Sequence, residues 1–124
     1  MQQRKTAATH PGSVSYAEMG AVTRLIFQRA TVLRLNGTRW RVLAAVVALT
    51  ATFSKYYDST FVARIAQMAD LDRTDRTLKV TKKTLRYLAS VGLIVYEPAE
   101  RDGQRTLIGL PERLSNSVSH GGRS

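Results

Sequence analysis

Ten side chains between positions 73 and 105 have the types and spacing to bind a polyanion. They are Arg73, Arg76, Lys79, Lys82, Lys83, Arg86, Tyr87, Arg101, Gln104 and Arg105. Arg and Lys can donate to phosphate oxygens or to guanine O6 and N7, and Tyr can touch a phosphate or a thymine methyl. Catalysis has no comparable set. The two histidines, His10 and His120, stand in polar terminal stretches with nothing to hold them in register. There is no G-x-x-x-x-G-K-S/T, G-x-G-x-x-G or H-E-x-x-H pattern. Asp70, Asp72 and Asp75 are interleaved with cations and lack the central Gly and terminal Glu of an EF-hand loop. The expectation is a chain that is not an enzyme, with no cofactor, no catalytic residue and no metal ligand.

The whole-chain balance agrees. Lys and Arg number 19 against 9 Asp and Glu, a net charge of +10 over 124 residues. Such an excess favours DNA, RNA or an anionic surface as partner. No apolar run approaches the ~20 residues of a membrane-spanning helix, and residues 1–14 lack the apolar stretch of a secretory signal. No membrane association and a bacterial cytoplasmic, nucleoid-associated location are expected. Without cysteine there is no disulfide framework. Hydrophobic residues make up 44%, enough for one core.

The elements that must position the cations can be read in order. Residues 1–14 are expected to be a flexible arm and residues 112–124 a Ser/Gly-rich tail, leaving 15–111 as the folded domain. Ser15 and Glu18 have capping-box spacing. Met19, Val22, Ile26, Ala30 and Leu33 then repeat at helical period, predicting a helix over 15–35 that stops at Asn36-Gly37. Its apolar stripe either packs on the core or pairs with a second copy in a homodimer. Thr38 is expected to cap a second helix running to Phe53, apolar almost all round after Arg41 and so central. Trp40 reads as a packing anchor. Residues 54–60 form a connector with some extended character, and 61–69 a third helix with Phe61, Ile65, Met68 and Ala69 inward.

Residues 70–80 look like an unusually long charged turn, either a mobile loop or a segment that contains an extra helical turn. Either it is a solvated insertion, or Arg73, Arg76 and Lys79 reach phosphates beside the next helix. That helix is expected to open at Thr81, with Val80 and Leu85 at the spacing of a hydrophobic staple. Leu85, Leu88 and Ala89 share one face; Lys82, Lys83, Arg86, Tyr87 and Ser90 fall on the other. Gly92 ends it. Residues 93–97 and 106–110 form a hairpin around Asp102-Gly103, with Arg101, Gln104 and Arg105 at its tip. The fold class is mainly α with a small β-hairpin (α+β): a winged helix-turn-helix with an extra N-terminal helix.

Two stretches resemble known families. LNGTRWRVLAAVVALT, FVARIAQMADL and VTKKTLRYLASVGLI together resemble the N-terminal winged-helix domain of phage replication protein O, where a capped helix beginning W-K/R-V-L precedes the helix-turn-helix. That likeness covers roughly residues 35–96. Thr84-Leu85-Arg86-Tyr87, followed by Gly92-Leu93 and the hairpin, is similar to the recognition segment and wing of MerR-type regulators. Small excisionases share that winged-helix class. The long turn at 70–80 departs from both patterns. MerR-type regulators carry a further effector domain; little more than a tail follows the wing in this sequence, so effector sensing is not expected unless the chain is a fragment. These resemblances imply sequence-specific binding of double-stranded DNA by a phage or plasmid protein acting in transcription or at a replication origin, with replication or recombination proteins as further partners. An excisionase that bends DNA, and a winged helix used only for protein–protein contact, stand as alternatives.

Overall fold

The computed structural model describes residues 15–72 and 74–111. The expected arm, the expected tail, both histidines and Arg73 lie outside that range. Helix α1 is Tyr16–Leu33, α2 is Gly37–Thr50, α3 is Val62–Met68 and α4 is Asp75–Ser90. Strand β1 is Tyr57–Thr60, β2 is Val95–Glu97 and β3 is Thr106–Gly109.

Ser15 caps α1 as its spacing requires, its hydroxyl accepting from the Glu18 N–H at 3.1 Å. The Glu18 carboxylate is used elsewhere: it accepts from the Tyr56 hydroxyl at 2.7 Å and ties α1 to the approach to β1. Met19, Val22, Ile26 and Ala30 are buried within this chain. The expected end of α1 is corrected. Arg34 takes a left-handed conformation (φ 55), its N–H turning back to the Thr31 carbonyl. Asn36-Gly37 therefore opens the next helix instead of closing this one. Asn36, not Thr38, caps α2, its side chain accepting from the Arg39 N–H at 2.9 Å. Leu35, between the two helices, drops into the core.

Helix α2 is central, packing on α3, α4 and β3. It ends at Thr50, and a single 3-10 turn, Ala51–Phe53, leaves Phe53 exposed. The expected connector holds a third strand. β1 pairs antiparallel with β3 from Tyr57 opposite Gly109 to Thr60 opposite Thr106. β2 pairs with the other edge of β3, giving the order β1-β3-β2. The strand was hard to read because Tyr57 and Asp58 are half-buried and Ser59 is exposed, so it has no apolar alternation.

The largest correction concerns the turn before α4. The helix starts one and a half turns before Thr81, at Asp75, and the link from α3 shrinks to residues 69–74. Thr74 is the cap, its hydroxyl accepting from the Thr77 N–H at 3.3 Å. Thr81 and Thr84 are buried inside α4. Their hydroxyls donate to the carbonyls one turn back, Thr77 at 2.9 Å and Val80 at 2.8 Å. That satisfies each polar group locally and lets threonine serve as a core residue. Val80 is 44% exposed and staples nothing.

Helix α4 ends in a Schellman arrangement. Gly92 (φ 80) donates to the Ala89 carbonyl and Leu93 to the Leu88 carbonyl. Leu93 and Ile94 then enter the core on the way into β2. At the wing tip, Gln104 donates to the Arg101 carbonyl around Gly103 (φ 83). The order α2-β1-α3-α4-β2-β3 is a winged helix-turn-helix, with α1 as the added N-terminal helix. Ile26, Leu43, Ile65, Leu85, Leu88 and Ile108 are fully buried, so α1, the three-helix unit and the sheet share one core.

Candidate nucleic-acid interface

Extending α4 to Asp75 changes how its cations are arranged. Arg76, Lys79, Lys83 and Arg86 now sit on one helix at spacings of three, four and three residues, so they line a single side. All four are exposed. None forms an ion pair among the described residues, where the pairs are Lys55–Asp58 and Lys82–Asp102. Arg76 and Lys79, expected in a flanking turn, are part of the helix itself. Its inner side is Thr81, Thr84, Leu85 and Leu88. Asp75 sits in the first turn, where a carboxylate complements the positive end of the helix dipole.

Two residues expected on the outer face are placed differently. Lys82 is half-buried and reaches the wing, its Nζ 2.9 Å from an Asp102 carboxylate oxygen. Tyr87 is half-buried, with the Arg39 guanidinium 3.6 Å above its ring centre. Both therefore work between elements, Lys82 toward the wing and Tyr87 toward α2.

The wing divides similarly. Arg101 and Gln104 are exposed at the tip. Arg105 is exposed too, but its guanidinium donates to the Ser59 carbonyl at 3.2 Å and lies 5.1 Å from the Phe61 ring centre. It fastens the wing to the junction of β1 and α3. Asp102 is fully exposed, and its carboxyl is held below the ordinary aspartate range. The hydrogen bond from Lys82 contributes most, then the Lys82 charge, with Lys79 adding to it against a small desolvation effect. The 2.9 Å contact between Lys82 and Asp102 places the wing tip beside α4.

Arg39 and Asp102 were missed as site residues. Arg39 stands three residues after the Asn36 cap, a signal that a cap at Thr38 hides. Asp102 was read only as a turn former. Asp70 and Asp72 lie exposed ahead of α4. No group of three or more metal-ligating side chains occurs among the described residues, and no described helix is long and apolar enough to cross a membrane.

No protein-family model matches the chain, and no curated protein matches it in sequence. Among solved structures, it is similar to the crystal structure of the transcriptional regulator PA4135, at 18% identity and a TM-score of 0.43. The match covers 83% of this chain and 67% of the other. The winged-helix architecture given above rests on this chain's own element order and strand register.

Proposed function

We propose that the chain binds double-stranded DNA through α4 and the wing, as a sequence-specific transcriptional regulator or replication-origin-binding protein of a phage or plasmid. One observation carries this reading: the exposed stripe Arg76, Lys79, Lys83 and Arg86, without ion-pair partners among the described residues, on the helix that precedes a wing. From Arg76 to Arg86 the helix rises ~15 Å, comparable with the ~12 Å width of the major groove. Arg86 would face base edges, while Lys79 and Lys83 would meet phosphates. Arg101 and Gln104 would meet the backbone or the adjacent minor groove. Arg73 is proposed as a phosphate contact beside the helix start.

The cheapest test is a gel shift with random-sequence duplex at low salt. Binding that falls steeply as salt rises is expected, because neutralised phosphates release counterions. No binding at low salt would leave the winged helix as a protein-contact module. Footprinting then separates the biological roles. One palindromic site favours a dimeric regulator, whereas tandem half-sites with strong bending favour an excisionase. A homodimer would form through α1, whose C-terminal end exposes Val32 and Leu33. Sedimentation of the full chain tests that interface.

A further inference from the structure

Beside the basic stripe runs an open groove of about 330 Å³ between the start of α2 and the middle of α4. Its lining includes Asn36, Thr38, Arg39, Val80, Lys83 and Tyr87, and no carboxylate. The helix period explains the arrangement. Val80, Lys83 and Tyr87 are three and four residues apart, so they stack along the edge of α4 that faces α2. Lys83 belongs at once to the stripe and to this groove.

Arg39 forms the opposite wall. Its guanidinium lies over Tyr87, 3.6 Å from the ring centre. The negative face of the ring attracts the cation and restricts where the guanidinium can sit. Arg39 makes no ion pair among the described residues. Two cations, one of them stacked on an aromatic ring, line one concave, acid-free groove. That is the composition of a site for a single phosphoryl group.

The geometry points to a phosphate cradle: Arg39 and Lys83 clamp one backbone phosphate of duplex DNA flanking the groove read by α4, with Tyr87 as the positioning residue for Arg39. This rests on the duplex-binding reading, because Lys83 lies on the same stripe. It extends the interface to α2, which is otherwise a core helix. It also gives Tyr87 a role in aiming a neighbour instead of contacting DNA itself.

The test measures duplex affinity of the full chain against salt. Arg39→Met keeps the aliphatic cover on Tyr87 and removes the charge. The slope of log affinity against log salt should become shallower by about 0.9 in Arg39→Met, the value for one phosphate contact. Arg39→Lys should restore it. Arg24→Gln removes an exposed cation of α1 and should leave the slope unchanged. Losses from Arg39→Met and Lys83→Gln should be non-additive, as expected for two cations on one group. If wild-type protein binds no duplex, the DNA reading itself fails. If it binds and Arg39→Met keeps the wild-type slope, or the two losses simply add, the cradle is overturned. Displacement of DNA by free orthophosphate at constant ionic strength, lost in Arg39→Met, would assign the groove to a free anion and overturn the backbone assignment.

Discussion

Lys82 of α4 donates to Asp102 at the wing tip across 2.9 Å, joining residues twenty positions apart in the chain. The contact sets the wing beside α4. It also places the described wing tip's carboxylate next to cations proposed to meet DNA. Asp102 is thus a strut and, under the proposed duplex binding, would also compete with the phosphate backbone for those cations.

The strut has a pH signature. The Asp102 carboxyl is lowered by Lys82, so its contribution is present above the ordinary aspartate range and is lost as pH falls through the lowered midpoint. Because the carboxylate is fully exposed, screening keeps the effect on stability small. NMR titration of this carboxyl should find a midpoint below that of free aspartate, returning to the ordinary range in Lys82→Met. An unshifted midpoint in the wild type would show that the contact does not persist in solution. Asp102→Asn should also tighten low-salt DNA binding.

Base reading is tested at Arg86. Arg86→Ala should cost roughly 1–3 kcal/mol on a cognate duplex and relax specificity at one position. Lys79→Ala should weaken all sequences alike, as a phosphate contact does. Equal losses from Arg86→Ala on every sequence would reassign it to the backbone.

The start of α4 can be checked by stability. Thr74→Ala removes the cap and should cost about 1 kcal/mol in denaturant unfolding. Loss of the cap leaves the first-turn N–H groups without that acceptor. A helix beginning at Thr81 would be indifferent to this change.

The centre of the sheet depends on one glycine. A Cβ on Gly109 would run into the Tyr57 ring and lie 2.7 Å from the Tyr56 carbonyl oxygen. Gly109→Ala should destabilise the fold by roughly 1–3 kcal/mol. Because β3 pairs with both other strands, the sheet should loosen as a unit. Hydrogen exchange at Leu110, whose N–H donates to the Tyr56 carbonyl at 2.8 Å, reports it locally.

Much of this molecule was legible before folding. Periodic apolar residues mark α1, a nearly continuous apolar run marks α2, Ser15 marks the first cap, and Gly92 and Asp102-Gly103 mark the two turns. The net charge of +10 and the clustered Arg and Lys point to a polyanion. What misled were residues whose meaning depends on distant partners. Asn36-Gly37 is a plausible end or beginning of a helix, and only the left-handed Arg34 decides which. Thr81 looks like a cap until Leu85 and Leu88 bury its side of the helix, leaving its hydroxyl to bond one turn back.

The chain's sequence by itself determined which residues are cationic, which are apolar and where the backbone can turn, because these are local properties of side chains. Only the tertiary structure decided which cations act together. Burial of Thr81, Thr84, Leu85 and Leu88 fixed the rotation of α4. That rotation gathered Arg76, Lys79, Lys83 and Arg86 on one side, turned Lys82 to Asp102 and brought Tyr87 under Arg39. A helix can take any rotation about its axis until its neighbours exclude water from one side, and the core made that choice here.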